Sequence, residues 1–294
     1  MAAISVKRRS VKQAVKPYLF LLPMLIFAIG FVYYPFIKTF LYSFTTVNAR
    51  GQIVGFAGLE NFAYVFSRRE FKSALENTLR LTALNVPLTL VLTIFMALLS
   101  RKKRRLSPVY ETMFTLPMAV SMSAIVLIFK VLFNPTVGYV NYALGLDWGW
   151  FRDKHTAFYG ILLLDVWMGI GFNFLLFLAA LRGIPDQLIE GAELDGAGRL
   201  AILLHIQLPM ITPTILYVVC TNMVQAMMTS GPVLILTQGG PSRATTTLIY
   251  MMYSSGYSSA NYSLAACVSI VTFALTLGFT VAAFALDERK VHYQ

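Results

Sequence analysis

The sequence predicts an all-α membrane protein, a single domain over residues 1–294, with six transmembrane helices and both termini in the cytoplasm. Three observations predict it. First, 57% of the 294 residues are hydrophobic and 13% are charged, with mean hydropathy +0.67. An ordinary soluble domain is about half apolar and about a quarter charged. Second, six runs are long and apolar enough to cross a bilayer core, which takes about 20 residues of helix. Third, Lys and Arg are shared unequally among the segments that join these runs.

The runs are 18–40, 78–99, 109–133, 157–181, 211–236 and 263–286. The first follows KRRSVKQAVK. It exceeds the roughly 7–15-residue core of a signal peptide and continues into FVYYPFIKTF, so it reads as a retained helix. The outer segment 45–77, with GFAGLENF, reads as a short surface cap. With the N-terminus inside, segments 1–17, 100–108, 182–210 and 287–294 carry fourteen Lys and Arg, while loops 45–77, 134–156 and 237–262 carry seven. RKKRR at 101–105 is the strongest element of this bias. The remaining three, Lys38, Arg80 and Lys130, fall near outer span ends, where long side chains snorkel. The net charge of +11 is thus accounted for by topology. Membrane lipid is expected as a partner, and nucleic acid is not.

Catalytic chemistry is missing from the pattern. There is no G-x-x-x-x-G-K-[ST] to hold ATP. GIGFNF at 169–174 lacks the third glycine of a dinucleotide loop and falls inside a span. His155, His205 and His292 are far apart. Cys220 and Cys267 lie in apolar runs and give neither a disulfide framework nor metal spacing. The chain is not expected to be an enzyme or to hold a metal or cofactor of its own.

The segment 182–210 is long for a mere connection. IPDQLIEGAEL has the look of a helix start, with Pro185 and Asp186 ahead of Leu188, Ile189 and Leu194. DGAG at 195–198 is a turn signal, RLAILLHIQL a second amphipathic helix, and Pro209 and Pro213 mark the start of the fifth span. Acids on one element and an apolar side on the other suit docking to a soluble partner. The bland alternative is an interfacial loop that only joins two spans.

The spacing Glu190-Gly191-Ala192, then Asp195-Gly196-Ala197, then Leu203, Ile206-Gln207-Leu208-Pro209 and Pro213 resembles the EAA loop of binding-protein-dependent ABC importer permeases. Gly191 replaces the first Ala of that motif, and Leu203 replaces a usual aromatic. Further stretches, including GLENF, LPMAVSMSAIVLIFKVLFNPTVGYVN and LTQGGPSRATTTLIYMMY, are similar to the maltose-type and glycerol-3-phosphate-type carbohydrate branch. The resemblance implies a type I ABC importer permease fold in the bacterial cytoplasmic membrane. It also implies a second homologous permease, two ATPase subunits that hold ATP and Mg, an extracytoplasmic solute-binding protein and a sugar substrate. It assigns coupling to the ATPase to Glu190, Ala192, Asp195, Gly196, Ala197, Leu203, Ile206, Leu208, Pro209 and Pro213.

Polar groups inside spans are costly unless solvated or paired. Asp165 lies about eight residues into the fourth span, roughly 12 Å deep at 1.5 Å per residue. Asp165, Gly169 and Phe172 recur on one helical face with Asn173 beside them, and Asn222, Gln225 and Thr229 recur on the fifth span. A carboxyl, amides, a hydroxyl and a ring suit a polyhydroxylated ligand. The alternative is helix–helix hydrogen bonding, with Asp165 paired to Lys130. The resemblance adds that sugar contacts of the maltose-type subunit fall at positions matching Gly169, Phe172, Asn222, Gln225, Ala226 and Thr229, several of which hold different residues here. Glycerol-3-phosphate, another small solute, or a gradient-driven carrier without an ATPase are the rival readings.

Overall fold

A computed structural model describes residues 11–287. The described residues open with a long helix in two parts, α1 (Val11–Ala28) and α2 (Tyr34–Ser43), joined by a widened turn over Ile29–Tyr33. Pro35 explains the widening: it has no N–H to give and its ring crowds the carbonyl one turn back. The candidate span 20–43 buries none of its most apolar window in the chain. Helix α2 packs against the C-terminal helix, where Phe36 meets Phe273 edge-on at 5.2 Å.

The expected cap at 45–77 contains a short antiparallel hairpin, β1 (Thr45–Val47) and β2 (Ile53–Phe56), a small ribbon in a mostly helical fold. Its turn is built by the Asn48 side chain, which accepts from the Arg50 and Gln52 amides at 3.0 Å each. Helix α3 (Glu60–Ser67) follows, then α4 (Arg69–Ser100). The second span therefore starts nine residues before the expected Thr78. On α4, Thr78, Thr82, Asn85, Thr89 and Thr93 recur at helical spacing and are all buried. Three of the threonine hydroxyls satisfy themselves on the carbonyl four residues back.

The third expected span is not one helix. It is α5 (Ser107–Ala119) and α6 (Met122–Leu132), bent by 103°. Pro117 weakens the last turn of α5. Ser121 then caps α6, accepting from the Ala124 amide. The bend rests on Gly171, where an added Cβ would lie 3.0 Å from the Met118 Cβ and 3.2 Å from the Thr115 carbonyl oxygen. A short α7 (Tyr139–Leu144) precedes the central helix α8 (Ala157–Arg182). Half of the most apolar window of α8 is buried, as expected of a helix apolar on all sides.

After α8 come α9 (Asp186–Leu194), α10 (Arg199–Ile202), which runs on through a widened turn over Leu203–Gln207 into α11 (Leu208–Met210), and then α12 (Thr212–Met227). The fifth span differs from its expected 211–236: the 199–210 helix meets α12 at 68°. Beyond Met227 the chain leaves the helix over Met228–Ser230, re-enters helical geometry at Gly231 and Pro232 and continues over Val233–Thr237. A loop closed by Thr245 and Thr246, whose hydroxyls donate to the Gly240 and Gly239 carbonyls, leads to α13 (Leu248–Tyr253) and α14 (Tyr262–Asp287). Among the described residues, four helices are by length and composition long and apolar enough to cross a membrane, and up to six if each bent pair counts as one span.

Candidate functional site

A cavity of about 350 Å³ opens between α4, α8 and α12. Asp165 is part of its lining. The Asn85 amide donates to one carboxyl oxygen at 2.8 Å. The Thr229 hydroxyl, just past α12, lies 3.0 and 3.1 Å from the two oxygens and donates to them. One turn along α8, Gly169 lets α4 approach: a Cβ there would sit 3.3 Å from the Thr89 methyl. Asn173 donates to the Gly169 carbonyl and to Asn222 Oδ1, each at 2.9 Å. That leaves Asn222 Nδ2 buried with no partner among the described residues. A buried donor without an acceptor costs about 1–3 kcal/mol, and this one belongs to a residue lining the cavity. Gln225 and Ala226 line it too, with Met122, Met168 and Met228 as adaptable apolar surface. Thr247 ties the loop before α13 to the same place by donating to the Thr229 carbonyl at 3.1 Å.

A second constellation lies where α4 and α8 end. Arg101, directly after α4, sends its guanidinium to the Leu181 carbonyl at 3.0 Å, the Ile184 carbonyl at 3.3 Å and the Asp186 carboxylate at 2.8 Å. Arg182, the last residue of α8, answers by donating to the Ser100 carbonyl at 2.8 Å, the Arg101 carbonyl at 3.3 Å and Glu111 at 2.6 Å. Each helix thus has its orphan C-terminal carbonyls capped by the other's arginine. Asp186, the first residue of α9, is held in this knot.

The turn after α9 follows from its chemistry. Gly196 has φ +82°, the left-handed region glycine favours. Its amide donates to the Glu193 carbonyl at 3.1 Å, and the Ala197 amide to the Ala192 carbonyl at 2.9 Å. This is the Schellman pattern that closes a helix. Ile189 and Ile202 turn inward onto Phe174, Phe177 and Leu181, with Ala192, Ala197, Ile206 and Leu208 packed around them. The loop is therefore docked on the bundle by much of its apolar side. Leu194, Leu200 and Leu204 remain outward, Leu194 being 89% exposed.

Residues 89–292 match the family "Binding-protein-dependent transport system inner membrane component". The chain belongs to this family. It is a permease subunit of a binding-protein-dependent ABC importer, resident in the inner membrane, and ATP hydrolysis is the work of a separate subunit. The permease is 35% identical over 282 residues to the sn-glycerol-3-phosphate transport system permease protein UgpA of Yersinia pestis, covering 95% of this chain and 96% of that one. It is 34% identical to the protein of the same name from Pectobacterium atrosepticum over the same shares. Among solved structures it superposes on a chain of a bacterial alginate ABC transporter in complex with alginate pentasaccharide-bound periplasmic protein, with TM-score 0.83, 23% identity and coverage of 96% and 98%.

Of the permease residues expected along a substrate path, Asp165, Gly169, Asn222, Gln225, Ala226 and Thr229 meet at the cavity. Asn173 supports it from behind through Asn222. Phe172 is 45% exposed and does not line it. Asp165 bonds to Asn85 and Thr229 rather than pairing with Lys130. Asn85 was missed. Its signal was present in the polar stripe from Thr78 to Thr93, which repeats every three to four residues.

Proposed function

We propose that this permease forms half of the translocation pathway for a sugar or oligosaccharide, paired with a second homologous permease, two ATPase subunits and an extracytoplasmic solute-binding protein. In this reading the chain crosses the membrane six times, with α5–α6 and the 199–227 helices as bent crossings and both termini inside. Segment 182–210 meets the ATPase through Glu190, Asp195 and the outward leucines. Gly196 sets its turn, while Ala192, Ala197, Leu203, Ile206, Leu208, Pro209 and Pro213 hold its shape.

The observation that carries the cargo reading is the cavity lining. It offers the Asp165 carboxyl, the Gln225 amide and the unpartnered Asn222 amide, and none of its lining residues is basic. Hydroxyls of a neutral sugar can both donate and accept there, whereas a phosphate would meet no counter-charge. Relatives named for sn-glycerol-3-phosphate favour a second reading, in which the phosphate is met by the partner permease.

Uptake into membrane vesicles carrying the whole importer tests the choice, with labelled neutral oligosaccharides and labelled sn-glycerol-3-phosphate run in parallel. The expected result is sugar uptake, reduced at least about tenfold by Asp165→Asn, the loss of one hydrogen bond worth about 1.5 kcal/mol. Glycerol-3-phosphate uptake at an unchanged or higher rate in Asp165→Asn overturns the sugar reading.

A further inference from the structure

A larger cavity, about 660 Å³, opens at the end of α4, between the 101–106 turn, the start of α5 and the 199–207 helix. Its lining divides by chemistry. Leu98, Leu99 and Phe114 make one wall, and Leu99 is 57% exposed. Lys102, Arg104 and Arg199 stand around the rest, and none of the three makes an ion pair among the described residues. Arg101 also lines it but is committed to Asp186 and to backbone carbonyls. Glu193 is the one acidic residue in the lining. The charge is therefore net positive, and it sits where a candidate span ends.

We propose that this cavity binds the headgroup of an anionic phospholipid. The phosphate lies among Lys102, Arg104 and Arg199, and an acyl chain runs along Leu98, Leu99 and Phe114. Charge complementarity and position select this occupant. A free phosphate has no use for the apolar wall. A zwitterionic lipid would bring a second positive charge to three unpaired cations. A lipid held here would touch both the end of α4 and the second helix of the 182–210 segment, so membrane composition would bear on the element the permease offers to its soluble partner. The site does not depend on the cargo.

Native mass spectrometry of the assembled importer in mild detergent reads the proposal directly, with phosphatidylglycerol and phosphatidylcholine of identical acyl chains offered together. Wild type is expected to retain phosphatidylglycerol over phosphatidylcholine. Arg104→Gln with Arg199→Gln should weaken that retention about 25-fold, at about fivefold per cation facing an anionic lipid. Arg50→Gln with Lys72→Gln, two exposed cations of the 45–77 segment, should leave it unchanged. Excess inorganic phosphate should not displace the lipid. If the double variant melts early, Lys102→Gln alone is read on the wild-type background, with a fivefold loss expected. Equal retention of the two lipids, equal loss in both double variants, no loss in Lys102→Gln, or displacement by inorganic phosphate overturns the proposal.

Discussion

Gly196 is the residue on which most depends for its size. Its φ of +82° with a free space where a Cβ would go separates two effects of substitution. Gly196→Ala costs about 1 kcal/mol of backbone strain and meets no neighbour. Gly196→Asp adds strain and a charge at the same point. It is expected to leave the amount of inserted protein unchanged and ATP hydrolysis running, while solute uptake falls to background. Uptake and hydrolysis measured on the same vesicles check this, and undiminished uptake would show that the turn carries no coupling. The turn was legible in the sequence, because DGAG at 195–198 has few other uses. Asp165 was legible for the opposite reason: an acid deep in a span must have partners. Which partners was not legible. A spacing argument ranks residues on one helix, and Asn85 and Thr229 reach Asp165 from two others. Phe172 shows the same limit, since its register agreed with Asp165 and Gly169 while the cavity ends short of it.

Helices were found by apolar length, and length cannot see a bend. The runs 109–133 and 211–236 read as single crossings because Pro117, Ser121, Ile211 and Met228 sit among apolar neighbours that dominate any average. The break in 109–133 comes from one missing amide at Pro117, one capping hydroxyl at Ser121 and a close contact at Gly171, all local events of a few atoms. The crossed arginines at the ends of α4 and α8 were equally hidden. Arg101 and Arg182 counted in the sequence as topology charges, yet the Arg101 side chain is only 8% exposed. Arg101→Ala strips three acceptors of their donor and Arg182→Ala strips the reciprocal set. Each is expected to destabilise by about 1–3 kcal/mol. The double variant should cost less than the two singles added, by at least about 0.5 kcal/mol, because both arginines close one knot. Thermal unfolding of the four proteins in one detergent decides it, and strict additivity would mean two independent caps.

Across the molecule, α4 and α8 are joined at two depths. Asn85 and Asp165 bond in the middle of the pair, and the arginine knot fastens its end. The third helix of the cavity, α12, hangs differently. It continues from the 199–210 helix through a 68° bend and reaches α8 through the side-chain bonds of Asn222 and Thr229. Spin labels on α4 and α8 should keep their separation through the ATP cycle, while labels on α8 and α12 should change theirs. A shift of several ångströms within the α4–α8 pair would overturn this division. The arginine knot then has a mechanical meaning: it makes one rigid strut of two helices, and because Arg101 also grips Ile184 and Asp186, the 182–210 segment is bolted at its root to that strut.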